Sequence, residues 1–479
     1  MTDPMLDPFT PAVELAAAIR RRELSPVEVA DCYLARMDAL DPGLNAFCHR
    51  DDEAVRTAAA AAADAVLRAG SPEELPPFHG VPLPVKDLLE VAGWPTTFGS
   101  AGAAKEPSQA SDPVVRRFTA AGFLPLGKTT TSEFGTLPFT ESPALGTTRN
   151  PWDREHTPGG SSSGSAAAVA AGLAPIAHAS DGGGSIRIPA SCTGLVGLKP
   201  TRGLVTGSTI AVEGLSTSGV LSHTVADTAA ALDVLARHDP AAWWSPPTRR
   251  PSLTAALDGP APTGLRIGVL AESPLEGITV DPACTAAVDR AVRALEAAGH
   301  HVVDGPLPLP PGGELAAAFT TIWNTGGASY PVADPELVEP HNRALREAAR
   351  ATDSWEYVQA VKRTQQLSRR IVEGFTAHVD LLVTPTMACL PPRHGTLLAG
   401  AGAQPLMPLL NSYPMAVFTS IFNVTGQPAI SLPLHHDGAS GLPVGVQLVA
   451  APWREDLLLR VARSLELALP WAGRHPVEP

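Results

Sequence analysis

The sequence predicts an α/β protein in which a mixed β-sheet is surrounded by helices. Short apolar runs alternate with longer segments of helical periodicity along the whole chain, a pattern typical of this fold class. Hydrophobic residues make up 44% of the 479 residues, which is enough for a large core. Charged residues make up only 17%, which is fewer than a disordered chain typically has. The segments do not divide into separate groups and show no internal repeat, so we expect one domain over residues 1–479.

Three helices are predicted before residue 70. Apolar residues recur at helical spacing here, and Ser25 followed by Pro26 is a typical helix start, because serine caps the first turn and proline suits its first position. The predicted helices span residues 10–22, 25–40 and 51–68.

A short apolar segment, residues 78–88, carries Lys86. Pro82 and Pro84 make it unsuited to the middle of a sheet, because proline lacks the N–H that a neighbouring strand needs. Only five of the 35 basic residues are lysine, and a buried lysine, unlike arginine, can give up its proton near neutral pH. Lys86 is therefore a candidate base, although a lysine at a strand end often only extends its charge into solvent.

Two clusters of glycine and serine, residues 159–165 and 180–185, contain the main candidate site. Between them, residues 166–176 are apolar or glycine and predict a buried helix. Glycine lets the backbone approach a bound group closely, and consecutive N–H groups in such a turn form a concavity for a negative oxygen. Ser161 and Ser185 are thus placed where a hydroxyl and backbone donors could meet one substrate.

The other segments continue the alternation of helix and strand. We assign N-terminal helices to about 10–70, a catalytic core to about 75–237, and completion of the sheet and of the substrate pocket to the remainder. The predictions are helices at 110–121, 224–235, 282–298, 314–323, 343–377 and 454–467, strands at 123–127, 194–200, 264–270, 301–303, 380–385 and 441–449, an ordered polar loop at 128–153 and a surface excursion at 238–262.

Several interpretations of the serine clusters compete. A flexible linker suits the composition but not the apolar segments that follow both clusters directly. Residues 160–164 match the Gly-x-Ser-x-Gly pattern of a nucleophile elbow centred on Ser162, but that turn needs a strand running into the serine, and residues 149–158 are polar and contain proline. A phosphate-binding loop would need Gly-Lys-Ser/Thr after the glycines. A serine paired with Lys86 as base requires a neutral lysine, and hence a lysine pKa lowered by burial or by nearby hydrogen-bond donors.

The motifs around these residues resemble the amidase signature family of amide hydrolases. The resemblance extends over nearly the whole chain and implies the fold of that family, a central, mixed and twisted β-sheet surrounded by α-helices. It is carried by Lys86 within residues 80–87 and by residues 158–164, 181–190 and 194–203.

The resemblance also implies a catalytic mechanism. Lys86 matches the catalytic lysine of the family, Ser161 the bridging serine with a cis peptide bond, and Ser185 the nucleophile. In that mechanism Ser185 attacks the amide carbonyl while its proton passes through Ser161 to the neutral lysine. The implied oxyanion hole consists of the backbone N–H groups of Gly182, Gly183, Gly184 and Ser185.

Neighbouring positions have supporting roles in the same resemblance. Asp181 and Arg187 are expected to hold the nucleophile loop through hydrogen bonds, with Ser162 also behind the catalytic residues. Gly135 and Thr136 match the loop that lines the acyl pocket.

Other positions near the motifs are assigned to packing or depart from the family pattern. Cys192 and His178 are interpreted as buried packing residues. Ser163 replaces a common glycine, and Gly182 replaces a common threonine.

The resemblance favours stand-alone amidases such as aryl acylamidases, 6-aminohexanoate cyclic dimer hydrolases and urethanases. The expected substrate is a small, neutral, hydrophobic or aryl amide or carbamate, with ester hydrolysis as a side activity. Ile188 stands where the glutamine amidotransferase subunit of the family has glutamine, which disfavours that role. A binding protein that kept the fold without catalysis stays an alternative.

Composition limits the partners and the compartment. The net charge of −13 disfavours nucleic acid and anionic membrane surfaces as partners. Five scattered cysteines without a Cys-x-x-Cys pair indicate neither a disulfide framework nor a zinc site, and we expect no metal or cofactor.

The N-terminus lacks the pattern of a signal peptide, and the apolar stretches are shorter than a membrane span. We expect a cytoplasmic protein with a small-molecule substrate, and the resemblance is compatible with a homodimer.

Overall fold

The computed structural model of the protein describes residues 6–209, 211–248, 250–303, 309 and 313–477. The helices are α1 (Ala12–Arg20), α2 (Pro26–Leu44), α3 (Asp52–Arg68), α4 (Pro113–Ala120), α5 (Ser163–Ala170), α6 (Arg187–Thr193), α7 (Val225–Leu235), α8 (Leu253–Ala256), α9 (Pro282–Ala297), α10 (Glu314–Ala328), α11 (Pro340–Ala351), α12 (Ser354–His378), α13 (Met407–Asn411), α14 (Tyr413–Ala416), α15 (Ser420–Thr425) and α16 (Glu455–Ala468). The strands are β1 (Phe47–His49), β2 (Pro82–Lys86), β3 (Leu124–Thr129), β4 (Glu141–Ser142), β5 (Gly146–Thr147), β6 (Ile176–Asp181), β7 (Val196–Lys199), β8 (Thr217–Ser222), β9 (Arg266–Val269), β10 (His301–Val302), β11 (Leu381–Pro385), β12 (Ala429–His436) and β13 (Pro443–Ala450).

Eight strands form one mixed sheet in the order β10-β9-β11-β13-β12-β7-β8-β6. The pairs β10/β9 and β9/β11 are parallel, and every later pair is antiparallel. Strand β6 is therefore an edge strand of this sheet. The residues that follow Asp181, the last residue of β6, leave the sheet at this edge. The predicted fold class, an α/β protein with a mixed sheet and surrounding helices, is confirmed.

A smaller sheet, in the order β1-β3-β2, brings Lys86 to that edge. Strand β2 pairs in parallel with β3 on one side only and packs beside β6 on the other. An edge position suits a strand with two prolines, because Pro82 and Pro84 have no backbone N–H to donate to a neighbouring strand on a second side. Lys86, the last residue of β2, is thus placed next to the end of β6.

Strands β12 and β13 separate two layers of the molecule. Alternate residues such as Ile430 and Leu448 belong to the main core, together with Ala287 of α9. Gln447 points to the opposite face, where it accepts a hydrogen bond from Arg187 of α6. The main core also joins the two ends of the chain, since it includes residues from Ala12 to Trp471.

Most predicted elements occur near their predicted bounds, and the helix starts have the predicted chemistry. Ser25 caps α2 in a capping box with Glu28, and Thr224 caps α7 by accepting from the N–H of Asp227. The predicted strand–helix–strand unit is β9, α9 and β10, with parallel strands.

Two helix predictions are wrong in extent. The helix predicted at 166–176 ends at Ala170, because Gly172 adopts a left-handed conformation and β6 begins soon after, at Ile176. The helix predicted at 343–377 is two helices, α11 and α12, because the carboxylate of Asp353 caps a new helix start by accepting from the N–H of Glu356.

The two irregular segments contain short regular elements. The polar loop predicted at 128–153 is ordered and includes the last residues of β3 and the hairpin of β4 and β5. The surface excursion at 238–262 exposes Trp243 but is anchored by Leu253 of α8; Arg249 lies outside the described residues. No helix in the described part of the chain combines the length and the apolar character needed to cross a bilayer.

Candidate active site

Lys86 is fully buried and contacts two serines. Its Nζ lies 2.8 Å from Ser161 Oγ and 3.1 Å from Ser180 Oγ. Burial lowers the pKa of Lys86 from its ordinary value of 10.5 to about 7, because the ammonium loses its hydration, although the Asp181 carboxylate favours the charged form. This lysine can therefore exchange a proton at neutral pH, whereas the alternative of a solvated lysine at a strand end is wrong.

Ser161 lies in the loop that leads into α5, and its peptide bond with Gly160 is cis, as the resemblance implies. Gly135, on the loop expected to line the acyl pocket, is close to it, since a Cβ added there would lie 3.2 Å from Ser161 Oγ. The neighbouring Ser162 is fully buried and donates to the carbonyl oxygen of Ser180 at 3.3 Å. A loop rather than a strand precedes Ser162, so the nucleophile-elbow interpretation is wrong.

Ser185 lies between β6 and α6, in a turn made by three glycines. It is 7% exposed, and its hydroxyl makes no hydrogen bond to any described residue. The N–H groups of Gly182, Gly183 and Ser185 likewise have no acceptor among the described residues. The hydroxyl and three backbone donors are therefore available to a bound molecule at one place.

Gly184 has a different role from the other members of the expected oxyanion hole. Its N–H donates to Asp181 Oδ1 at 2.8 Å, so it is engaged inside the protein. A Cβ at this position would lie 2.3 Å from Thr419 Oγ1, and φ is +138°. Gly184 therefore sets the shape of the turn, and the donor set is corrected to Gly182, Gly183 and Ser185.

A buried ion pair holds this turn. Arg187 Nε and Nη2 donate to the two carboxylate oxygens of Asp181, each at 2.9 Å, and neither side chain is exposed. Burial opposes the charge on Asp181, but the Arg187 guanidinium and the amide of Asn423 hold its pKa at about 2. Asp181 and Arg187 thus have the loop-holding contacts expected of them.

Four further residues around the turn were not singled out by the sequence reasoning. Arg187 also donates to Gln447 Oε1 and Asn423 Oδ1, each at 2.7 Å, and to the carbonyl oxygen of Thr419 at 2.8 Å. Ser180 is the second contact of Lys86. Asn423 and Gln447 lie in a segment that shares the family resemblance, but the segment alone does not indicate which side chain reaches the turn.

The acyl-pocket loop is tied to α11 by buried polar groups. The Thr136 hydroxyl donates to Asn342 Oδ1 at 2.9 Å, and Asn342 Nδ2 donates to Glu133 Oε2 at 2.8 Å. Burial raises the pKa of Glu133 above its ordinary value. Of the two residues expected to line the pocket, Gly135 lies against Ser161. The Thr136 hydroxyl instead makes its hydrogen bond to Asn342 of α11.

Two aromatic rings of α10 cover the turn and were not anticipated either. Phe319 and Trp323 stack at 5.2 Å between ring centroids. A Cβ at Gly182 would lie only 3.1 Å from Trp323 Cζ3, and one at Gly183 would lie 3.6 Å from Phe319 Cζ. The departure from the family pattern at Gly182 thus makes room for the tryptophan.

The remaining reactive side chains near the site are structural. His178 is buried in β6, where desolvation and the nearby lysines lower its pKa to about 3, and burial raises the pKa of the Cys192 thiol. A second buried lysine, Lys128, is paired with Asp87 at 2.7 Å. No three histidine, cysteine or carboxylate side chains of the described residues form a group that could hold a metal ion.

Comparison with known proteins identifies the family. The family model described as Amidase matches residues 28–459 of the chain. The protein belongs to the amidase signature family. It is therefore a hydrolase that acts on carbon–nitrogen bonds other than peptide bonds.

Individual relatives cover nearly the whole chain of this amidase. It is 37% identical to the 6-aminohexanoate-cyclic-dimer hydrolase of Paenarthrobacter ureafaciens, over 98% of this chain and 97% of that protein. A solved structure of 6-aminohexanoate cyclic dimer hydrolase with its substrate superposes with a TM-score of 0.90 at 35% identity, covering 98% of this chain and 99% of that one. A bacterial aryl acylamidase shares the fold, with a TM-score of 0.86 at 24% identity over 98% and 100% of the two chains.

Proposed function

We propose that this amidase hydrolyses a small neutral amide through an acyl-enzyme on Ser185, with Ser161 and Lys86 as the proton relay. The observation that carries the proposal is the buried contact of 2.8 Å between Lys86 Nζ and Ser161 Oγ. A lysine with a pKa of about 7 is substantially neutral at pH 7 and above, and a neutral amine accepts the proton of a serine hydroxyl at this distance. A serine needs such a base to act as a nucleophile.

In the first step Ser185 Oγ attacks the carbonyl carbon of the amide. Its proton passes to Ser161 Oγ, and the proton of Ser161 passes to Lys86 Nζ. The carbonyl oxygen becomes an oxyanion, and the free N–H groups of Gly182, Gly183 and Ser185 are suited to receive it. Removing one such donor in other hydrolases typically costs about 3–4 kcal/mol of transition-state stabilisation.

In the second step the proton returns from Lys86 through Ser161 to the amine nitrogen. The carbon–nitrogen bond breaks, the amine leaves, and an ester of Ser185 remains. Water then attacks this ester with the same relay as base, which releases the acid and restores the Ser185 hydroxyl.

The surroundings of the turn favour a neutral and hydrophobic substrate. The charged groups beside it, Asp181 and Arg187, neutralise each other and are fully buried. The rings of Phe319 and Trp323 pack on Gly182 and Gly183, two of the residues with free N–H groups. The similarity to a cyclic-dimer hydrolase supports an amide as the substrate, with carbamates as the class to test beside it.

The proposal is tested by labelling with a fluorophosphonate, followed by intact-mass spectrometry. We expect the wild type to gain one probe mass, Ser185→Ala to gain none, and Ser162→Ala to be labelled. Ser162 is the matched control because it is a neighbouring buried serine whose hydroxyl faces the Ser180 carbonyl. Unlabelled samples of the three proteins are assayed in parallel with 4-nitroacetanilide, 6-aminohexanoate cyclic dimer and ethyl carbamate.

Two results would contradict this assignment. Labelling that persists in Ser185→Ala would place the nucleophile elsewhere. Hydrolysis of an amide by Ser185→Ala at the wild-type rate would show that no acyl-enzyme on this residue is needed.

A further inference from the structure

One face of α10 lies against both loops of the active site. Phe319, Trp323 and Gly327 are spaced four residues apart, so they share one stripe of the helix. At its first two positions the stripe contacts the turn of residues 182–185, through Gly182 and Gly183. We call this turn, which carries the free N–H groups, the oxyanion turn. We call these three positions the α10 stripe.

The other end of the α10 stripe reaches the acyl-pocket loop. A Cβ at Gly327 would lie 3.0 Å from Thr136 Cγ2, so the absence of a side chain lets the helix approach this loop. Just after α10, the Tyr330 ring stacks on Phe134 at 5.4 Å between centroids and 11° between planes. One helix therefore spans from the oxyanion turn to the loop that carries Gly135.

The stripe changes in character along its length. Two large rings lie beside the oxyanion turn, whereas no side chain projects at Gly327. Both residues are partly exposed, although Phe319 also packs against the small cluster around Ile322. The two rings offer a flat apolar contact beside the reacting carbonyl, while Gly327 lets the other end of the helix pack closely on the acyl-pocket loop.

We propose that the α10 stripe is the specificity wall of the substrate pocket, and that it selects amides bearing a planar apolar ring over small aliphatic amides. The inference rests on the proposed function, because it assumes that the amide reacts at Ser185. A ring stacked on Trp323 gains contact area in the bound substrate and in the transition state alike, and acetamide cannot make this contact. The stripe thus acts on the choice of substrate and leaves the proton relay unchanged.

The test compares the effect of Trp323→Ala on three substrates. 4-Nitroacetanilide has its ring on the amine, benzamide has it on the acyl group, and acetamide has no ring. We expect kcat/KM to fall about tenfold or more for at least one ring substrate, chiefly through KM, and to stay within about twofold for acetamide. The ring substrate that responds shows which side of the amide faces the stripe.

Matched variants separate recognition from folding. Trp355→Ala, on the neighbouring helix α12, removes an exposed tryptophan (71%) and should leave all three rates unchanged. Trp323→Phe keeps a ring and should restore most of the preference. If Trp323→Ala does not fold, Phe319→Ala takes its place, with the same expected loss for ring substrates.

The outcomes distinguish the inference from the function on which it rests. If wild type hydrolyses no amide, the proposed function fails. If wild type hydrolyses amides and Trp323→Ala lowers the rates for acetamide and the ring substrates equally, or changes none of them, the amidase assignment stands and the specificity wall is wrong.

Discussion

At Lys86, burial and the field of Asp181 act in opposite directions. The apolar surroundings disfavour the ammonium, and the carboxylate favours it, which leaves the pKa at about 7. If the lysine lay at a surface it would stay charged and could not accept a proton. The contact with the Ser161 hydroxyl distinguishes Lys86 from two other buried lysines. Lys128 is paired with Asp87. Lys199, whose pKa burial also lowers to about 7, donates to the Pro200 carbonyl oxygen.

This balance predicts the pH dependence of the reaction. Only neutral Lys86 accepts the proton of Ser161, so kcat/KM should rise with pH. A plot of log(kcat/KM) against pH should have a slope of one below a pKa of about 7 and a plateau above it. Lys86→Arg should lose activity by about 100- to 10,000-fold at every pH, since arginine does not become neutral. The measurement is a pH–rate profile with 4-nitroacetanilide.

A conservative control belongs with this experiment. Lys105→Arg makes the same substitution at an exposed residue and should keep the wild-type profile. A wild-type profile that is flat from pH 5 to 9 would exclude Lys86 as the titrating base.

At the scale of elements, the turn between β6 and α6 depends on one glycine conformation. Gly184 combines φ of +138° with close approach to Thr419, whose hydroxyl donates to the Gly183 carbonyl at 2.7 Å. This bond turns the Gly183 carbonyl inward. The conformation of the turn is therefore fixed from α15 and its N-terminal flank, far away in the sequence.

Gly184→Ala should disrupt the turn without unfolding the sheet. The added Cβ would lie 2.3 Å from Thr419 Oγ1, so the turn and Thr419 must separate. We expect kcat to fall about 100-fold or more, because the remaining donors no longer converge on the oxyanion. Steady-state kinetics and a thermal melt measure the two effects separately.

The matched control for this change is Gly277→Ala. That glycine also has positive φ, +80°, but a Cβ there meets no atom within 4 Å. It should introduce backbone strain at a positive φ, milder than at Gly184 because +80° lies nearer the left-handed region that other residues adopt, while keeping full activity. Equal kinetic effects of the two variants would show that strain alone, and not the contact with Thr419, explains the loss.

Local patterns predicted most elements, because periodicity, caps and short motifs act over a few residues. The resemblance placed Lys86, Ser161 and Ser185 in one site, and the contact of the first two follows that prediction. The break at Asp353 was missed although its cap is local. The packing of Trp323 on Gly182 joins residues far apart in the chain, and no pattern within either segment indicates it.

At the scale of the whole molecule, His223 connects both ends of the chain. Its Nε2 lies 2.9 Å from the Val169 carbonyl oxygen, and its own carbonyl accepts from Trp471 Nε1 at 2.9 Å. The rings of Phe9 and His475 pack around it. Since the core includes residues at both ends of the chain, the protonation of this one buried ring should affect the stability of the entire fold.

Burial, with a contribution from His475, lowers the pKa of His223 to about 4 from its ordinary 6.5. Between these values the unfolded chain binds a proton that the folded protein does not, so this residue removes stability as the pH falls from 6.5 to 4. The loss should be on the order of 3 kcal/mol in the free energy of unfolding. His178 and His341 act in the same direction, with pKa values of about 3 and 4.

Other buried groups oppose this trend, which is why the prediction concerns a difference between variants. Burial raises the pKa values of Asp227 and Glu339 to about 7, so the folded protein binds their protons first and gains stability as the pH falls. His223→Gln keeps a donor for Val169 but does not titrate. The stability of the wild type relative to this variant should therefore decrease from pH 7 to pH 4.5.

Urea denaturation of both proteins at a series of pH values measures that difference. His301→Gln, at an exposed position of β10, controls for the substitution itself. A constant offset between wild type and His223→Gln across the range would mean that the ring binds its proton equally well in the folded and unfolded states. The junction of the chain ends would then tolerate a charge, against the expectation from the burial of His223.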